Sequence, residues 1–387
     1  MNWKKVLLVT LALLLVLGLV ACGGDKDEAA DTSEAPAAAE GLKIAIVTSP
    51  SGVDDGSFNQ NNYEGIQAFI AAHPGATVTD VRETDPDKAI PAVEAIVADY
   101  DVIVTPGFQF AGITEIAQAN PEKYFILVDA FPANPEDPFG DPVEVENIYA
   151  MQFAEQESGF FAGIAAAMET KSGKVAFIGG MAYPAVVNYH LGFECGVNYA
   201  NKHLGAKAEL VNIKSYAGED VFGNNVGGNY VGAFDDEATG KKVGEDLLAK
   251  GADILFVAAG GSGNGAFTAA KEAEGAFVIG CDTDQYDLGA DGDRNVVLTS
   301  VLKVMDINVE RQLNAIEGGS FKGGNYTLKA DTDSTGYVSE PGRQQLSDAV
   351  LDALAAAFGE VKSGAIVPVS NVGMAFNGES VTDFPGL

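Results

Sequence analysis

The sequence predicts an α/β protein of two doubly wound lobes, joined by a hinge and enclosing a central cleft. Three observations carry this expectation. Short, uncharged, β-branched runs alternate with segments of helical period along most of the chain, the pattern of βαβ units that build parallel sheets. The alternation occurs in two successive series, parted by a Pro-rich loop from Phe131 to Pro142. And several of the expected strands end on carboxylates, an ammonium or a turn carrying an aromatic and an amide, at the carboxyl ends where open α/β sheets gather ligands.

The first series opens with Lys43–Thr48. Ile44, Ala45, Ile46 and Val47 form a run that a parallel sheet buries on both faces, and Pro50, Ser51 and Gly52 end it. Ser57 is placed to cap a helix Phe58–Ala72. Strand Thr77–Arg82, helix Pro86–Ala98, strand Val102–Thr105, helix Gly112–Ala119 and strand Tyr124–Asp129 follow. Strand Asn147–Phe153 then leads into an Ala/Gly-rich helix, Gln156–Met168. The second series runs through strand Lys174–Gly179, helix Ala185–Asn201, strand Ala208–Tyr216, helix Thr239–Lys250, strand Ile254–Ala258, helix Gly265–Glu274 and strand Ala276–Cys281. A strand Val296–Val301 and helix Val304–Glu317 are expected to return to the first lobe, and a helix near Gln344–Phe358 to the second. The expected division is thus 42–150 with about 285–320 against 151–284 with about 321–387, and repeated crossings between lobes form the hinge.

With 387 residues and 47% hydrophobic content the chain can bury two cores. Its formal charge of −32 disfavours nucleic acid and polyphosphates as partners, leaving a neutral or cationic ligand. Met1–Ala21 has the parts of an export signal: Lys4 and Lys5, an apolar run from Val6 to Val20, then small residues. Leu19-Val20-Ala21-Cys22 resembles a lipobox, so Cys22 is the expected lipidation site. Acyl chains contribute about 0.8 kcal/mol per buried CH₂ and would hold the protein on the extracytoplasmic face of the cell membrane. The following segment to residue 41, rich in Ala, Asp and Glu, reads as a disordered tether. Cys195 and Cys281 are expected as buried free thiols. His73, His190 and His203 are scattered without ligand spacing, so no metal and no cofactor is expected.

Phe58 beside Asn59 is a pairing that stacks on a nucleobase and bonds its edge, or else packs into the core and satisfies a turn. The Gly-rich run Val257–Gly265 lacks the Gly-Lys-Ser/Thr ending of a phosphate loop and reads as a tight turn against a ribose. Asp129, Asp282, Asp284 and Lys303 all fall at strand ends, so paired acceptors and one ammonium can take a vicinal diol. The alternative is that they cap helices or pair with one another.

Taken together, VDDGSFNQ, the Gly107–Phe110 stretch, FILVD ending at Asp129, GFECGV, the Gly-rich loop, GCDTDQ and TSVLK resemble the basic membrane protein family of PnrA-like lipoproteins, from Leu42 to the C-terminal helix. The resemblance implies a type I periplasmic-binding-protein fold and a non-enzymatic, monomeric receptor that passes a nucleoside to an ABC transporter permease. It implies that Phe58 stacks on the base and Asn59 bonds its edge. Phe234 would be the second stacking ring, with Tyr230 as its alternative. Asp129, Asp282 and Lys303 would hold the ribose, with Asp284 as the alternative to Asp282 and Gly261 in the adjoining turn. The family carries Asp where this chain has Ser49, at the base edge, so a purine is the expected base but its choice is open. Two rivals stand beside this reading: a sugar receptor of the same fold and a nucleoside-cleaving enzyme. The latter would need an early Asp cluster where Ser49 and Pro50 stand.

Overall fold

Two six-stranded sheets of the same design make up the architecture of the computed structural model, which describes residues 41–137 and 140–370. In chain order the first series comprises β1 (Lys43–Thr48), α1 (Phe58–Ala72), β2 (Thr77–Arg82), α2 (Ala89–Ile96), β3 (Val102–Pro106), α3 (Thr114–Ala119), β4 (Tyr124–Val128) and β5 (Ile148–Phe153). The second comprises α4 (Glu155–Glu169), β6 (Lys174–Gly179), α5 (Pro184–His203), β7 (Glu209–Leu210), a small hairpin of β8 (Gly218–Glu219) and β9 (Asn225–Gly227), α6 (Glu237–Ala249), β10 (Ile254–Ala258), α7 (Gly263–Glu272) and β11 (Phe277–Gly280). A second hairpin, β12 (Ala290–Asp291) with β13 (Arg294–Asn295), leads to β14 (Val297–Lys303), α8 (Met305–Glu317), β15 (Gly324–Leu328), β16 (Thr335–Tyr337) and α9 (Asp348–Lys362).

The first sheet has the order β15-β5-β4-β3-β1-β2 and is parallel throughout. The second has the order β16-β14-β11-β10-β6-β7, parallel except where edge strand β16 runs against β14. The reason for the uncharged strand runs is visible in β1. Ile44 and Ile46 pack with Phe69 of α1 and Val309 and Leu313 of α8, while Ala45 and Val47 pack with Val93 of α2 on the other face. A strand covered on both sides has no place for a charge. The second sheet repeats this: α4, α5 and α9 cover one face, α6 and α7 the other.

The chain crosses between the sheets three times among the described residues: between β5 and α4, between β14 and α8, and between β15 and β16. This corrects the expected division in three places. The strand expected at Val296–Val301 does not return to the first sheet: β14 pairs in parallel with β11, matching Ile279 to Thr299 and Gly280 to Ser300, and only α8 leaves. Residues 324–328, expected in the second lobe, extend the first sheet along β5. The boundary expected at 150 falls inside β5, and the crossing comes at Ala154.

Some element bounds also move. The strand expected at Ala208–Tyr216 shortens to two residues, because the backbone N–H of Ile213 turns to the side chain of Asn229. The last helix begins at Asp348, after Gln345 has bonded to β14 through its backbone N–H and side chain. Cys195 and Cys281 are both buried free thiols. The leader, Cys22 and the tether lie outside the described residues, and no helix among the described residues is long and apolar enough to cross a membrane.

One packing detail positions the site. A Cβ on Gly196 of α5 would sit 2.1 Å from the Phe160 carbonyl oxygen of α4, and one on Gly163 of α4 2.2 Å from that of Phe193. The two helices therefore meet backbone to backbone, which needs glycine at the crossing. This brings Asn188 and Tyr189 of α5 against the start of α4 and the end of β11.

Candidate functional site

The carboxyl ends of β1, β4, β11 and β14 converge on a cavity between the sheets. Its free space, counted out through the open mouth, is about 630 Å³. Two of the strand ends turn in the same unusual way: Asp129 after β4 and Asp282 after β11 have φ of 62° and 70°. Aspartate tolerates this left-handed backbone better than most residues. Both carboxylates reach the cavity floor.

Lys303, at the end of β14, is the centre of that floor. Its Nζ lies 2.6 Å from Asp129 Oδ2, 3.6 Å from Glu155 Oε1 and 3.7 Å from Asp282 Oδ1, and all four side chains are more than nine-tenths buried. Burial alone would lower the Lys303 pKa, but the three carboxylates outweigh it and hold the ammonium above its usual range. Burial raises Asp129 against the pull of Lys303. It pushes Glu155 up to about 8, again against Lys303 and with help from Asp129. Glu155 therefore carries a proton near neutral pH, which reduces the excess of buried negative charge. Its Oε2 accepts from Asn188 Nδ2 at 3.0 Å.

The remaining valences of the floor show what it can do. Asp282 accepts one bond on each oxygen, from Tyr189 Oη and from Ser57 Oγ at 3.0 Å each. Asp129 Oδ1 is buried and accepts from no N–H or hydroxyl among the described residues, while the Asp129 carboxylate adjoins the carboxyl of Glu155. An acceptor so placed, beside a charged donor, suits a hydroxyl group of a ligand. Above the floor the lining turns to carbon: Phe58, Phe108, Tyr183, Val186, Ala258 and Phe234. Lys303 Nζ stands 4.8 Å from the centre of the Phe58 ring, so charge and aromatic wall adjoin. The Cys281 thiol also lines the cavity, but burial and the Asp282 carboxylate push its pKa well up, leaving a poor nucleophile.

The loop after β1 closes the cavity. Ser51 Oγ donates to the Phe234 carbonyl at 2.9 Å, Ser57 Oγ to Asp282, Gln285 Nε2 to the Gly56 carbonyl at 2.8 Å and Asn264 Nδ2 to the Asp55 carbonyl at 3.5 Å, so one loop of the first lobe is tied to four points of the second. The expected cap on α1 is corrected here. Ser57 makes no capping bond; Asp55 does the work, accepting from the backbone N–H groups of Ser57, Asn59 and Gln60. Burial nevertheless raises its carboxyl to about 6.

Of the residues expected to meet a ligand, Ser49, Phe58, Asp129, Phe234, Asp282 and Lys303 line this one cavity. Asn59 and Gly261 fall outside its lining. Asn59 stands one layer back, its Nδ2 donating to Ser49 Oγ at 2.8 Å, and Gly261 backs onto the Phe234 carbonyl and Ser51. Asp284 turns away to Arg343 at 2.6 Å, and Tyr230 is buried beside His190. Sequence reading missed Tyr183, Tyr189 and Glu155. Glu155 was within reach of the strand-end rule, since it follows β5 as Asp129 follows β4. Tyr189 is interior to a helix and carries no local signal.

Comparison with known proteins fits this geometry. Residues 42–213 and 223–355 match the family described as ABC transporter substrate-binding protein PnrA-like. The chain is 31% identical over 309 residues to the ABC transporter nucleoside-binding protein BmpA of Lactococcus lactis subsp. cremoris, covering 74% of this chain and 79% of that protein. It is 28% identical over 293 residues to basic membrane protein A of Borreliella burgdorferi, covering 74% and 77%. Among solved structures, an ABC transporter solute-binding protein from Aeropyrum pernix superposes with a TM-score of 0.70 at 23% identity, over 86% of this chain and 94% of that one. One from Conexibacter woesei gives 0.60 at 21% identity, over 85% and 99%.

Proposed function

The chain belongs to the PnrA-like family of ABC transporter substrate-binding proteins, and from that premise we propose that it captures a nucleoside in the cavity between its lobes and delivers it, unaltered, to a membrane permease. The observation that carries this reading is the floor: a buried ammonium and an Asp129 oxygen that accepts from no N–H or hydroxyl among the described residues, beneath aromatic rings. In this reading the ribose diol takes Asp129 and Lys303, with Asp282 beside them. The base lies along Phe58 and Phe234, with its edge toward Ser49. Asn59 acts on the ligand through Ser49, and Gly261 supports the turn that carries Gly260 to the lining. The name of the Lactococcus relative supports a nucleoside over other small solutes. Cys22 is the proposed lipid anchor, holding a monomeric receptor at the extracytoplasmic face of the membrane; the high negative charge leaves nucleic acid outside its partners.

The test is calorimetric titration of the full chain in mild detergent with inosine, guanosine, adenosine, cytidine, uridine and free ribose. Saturable heat with a purine nucleoside, and none with ribose, is the expected result. Phe58→Ala should weaken that binding by about 1–3 kcal/mol, the usual contribution of one stacked base. Tight binding of ribose that Phe58→Ala leaves unchanged would replace this reading with a sugar receptor. Release of free base on incubation would replace it with an enzyme.

A further inference from the structure

The cavity described above is not alone. A second one, with about 700 Å³ of free space including its mouth, lies between the same two lobes, and Ser49, Gln109, Tyr183 and Phe234 line both. Those four side chains are the partition between them. Unlike the floor, the partition contains no charged side chain. Ser49 Oγ accepts from Asn59 Nδ2 at 2.8 Å, and Gln109 is tied, among the described residues, by a 3.3 Å bond from Nε2 to the Pro106 carbonyl. Tyr183 and Phe234 are half-buried and meet with ring centres 5.8 Å apart.

The second cavity has a chemistry of its own. Pro50, Phe110, Met181 and Ala233 supply carbon surface, while Glu83 and Asp235 bring negative charge, and no Lys or Arg among the described residues lines it. Thr48 also lines it, and its buried hydroxyl has no partner among the described residues. Such a space favours an apolar extension and disfavours an anionic one.

Resting on the nucleoside reading, which sets the sugar on the Lys303 floor and the base edge against Ser49, we infer that the receptor accepts nucleosides whose base bears an apolar substituent on its exocyclic amino group. The substituent passes between Ser49 and Gln109 into the second cavity. A closed base pocket would instead reject any such addition.

Calorimetry on the full chain in detergent tests this with adenosine, N6-benzyladenosine and an N6-carboxyalkyl adenosine. N6-benzyladenosine is expected to bind within about tenfold of adenosine, and the carboxylate analogue more than about tenfold weaker than the benzyl compound. Ala233→Trp, which fills the second cavity, should weaken N6-benzyladenosine by at least about tenfold and leave adenosine within about twofold. Thr84→Trp, on the exposed opposite lip, gives the same reading if Ala233→Trp does not fold. Adenosine heat with N6-benzyladenosine more than about tenfold weaker, or filling variants that shift both ligands equally, overturns the inference alone. No heat with any of the three overturns it together with the nucleoside reading.

Discussion

Replacing Lys303 with methionine is expected to destabilise the protein by about 3–5 kcal/mol at pH 7 and to abolish saturable nucleoside binding. Methionine nearly matches the length of the stem and fills its volume, so the loss is one of charge. Asp129 and Asp282 would then face each other across a dry floor, with no cation within 4 Å among the described residues. The penalty is that of stranding buried charge, larger than the net worth of the intact cluster. Urea denaturation followed by circular dichroism measures it. The deficit should shrink toward pH 4, because carboxyls freed from the ammonium take up protons. A deficit under about 1 kcal/mol at pH 7 would mean that water reaches these groups in solution, and the closed floor would have to be abandoned.

The second large effect is a pH dependence that a single amide should reduce. Glu155 has its pKa raised from 4.5 to about 8, chiefly by burial. The folded state therefore holds a proton that the unfolded chain releases. The stability this proton confers is complete below pH 4.5 and is lost as pH rises through 8, at up to about 1.4 kcal/mol per pH unit. Asp55 has the same sign but a lower window, from 3.8 to about 6, so the interval from pH 6 to 8 isolates Glu155 from it. Glu155→Gln keeps an acceptor for Asn188 and cannot ionise. Its stability is expected to fall less from pH 6 to 8 than that of the wild type, the remaining slope belonging to the other carboxyls that burial raises, Asp129 and Glu157. Parallel curves for the two proteins would show that Glu155 is not the buried acid this floor contains.

Both effects arise from one constraint. A floor able to grip hydroxyl groups needs acceptors and a donor held free of water, and three carboxylates around one ammonium are tolerable only if one of them keeps its proton. Glu155 at the first crossing between the lobes and Lys303 next to the second place that balance at the hinge itself. Asp129 comes from the first lobe and the other three groups from the second, so the floor itself joins the two. The loop after β1 adds four bonds to the second lobe in this arrangement.

Much of this was legible in the chain. The strand runs are local, since a strand covered on both faces must be uncharged over its own few residues. Their carboxyl ends then follow, and with them the positions of Asp129, Asp282 and Lys303 at one edge of two parallel sheets. Periodicity likewise sufficed to expect two lobes with repeated crossings. Tertiary structure alone decided the partners. β14 stays in the second sheet because its backbone groups match those of β11 in register, and no residue within β14 announces that choice. Ser57, a cap by residue type, donates its hydrogen bond to Asp282, which is distant in sequence, and leaves the capping to Asp55. Asn59 is turned from the cavity to Ser49, and Asp284 from the cavity to Arg343. In each case a side chain had several chemically equivalent partners, and the one it took was fixed by which segments the fold brought within about 3 Å, the reach of a hydrogen bond.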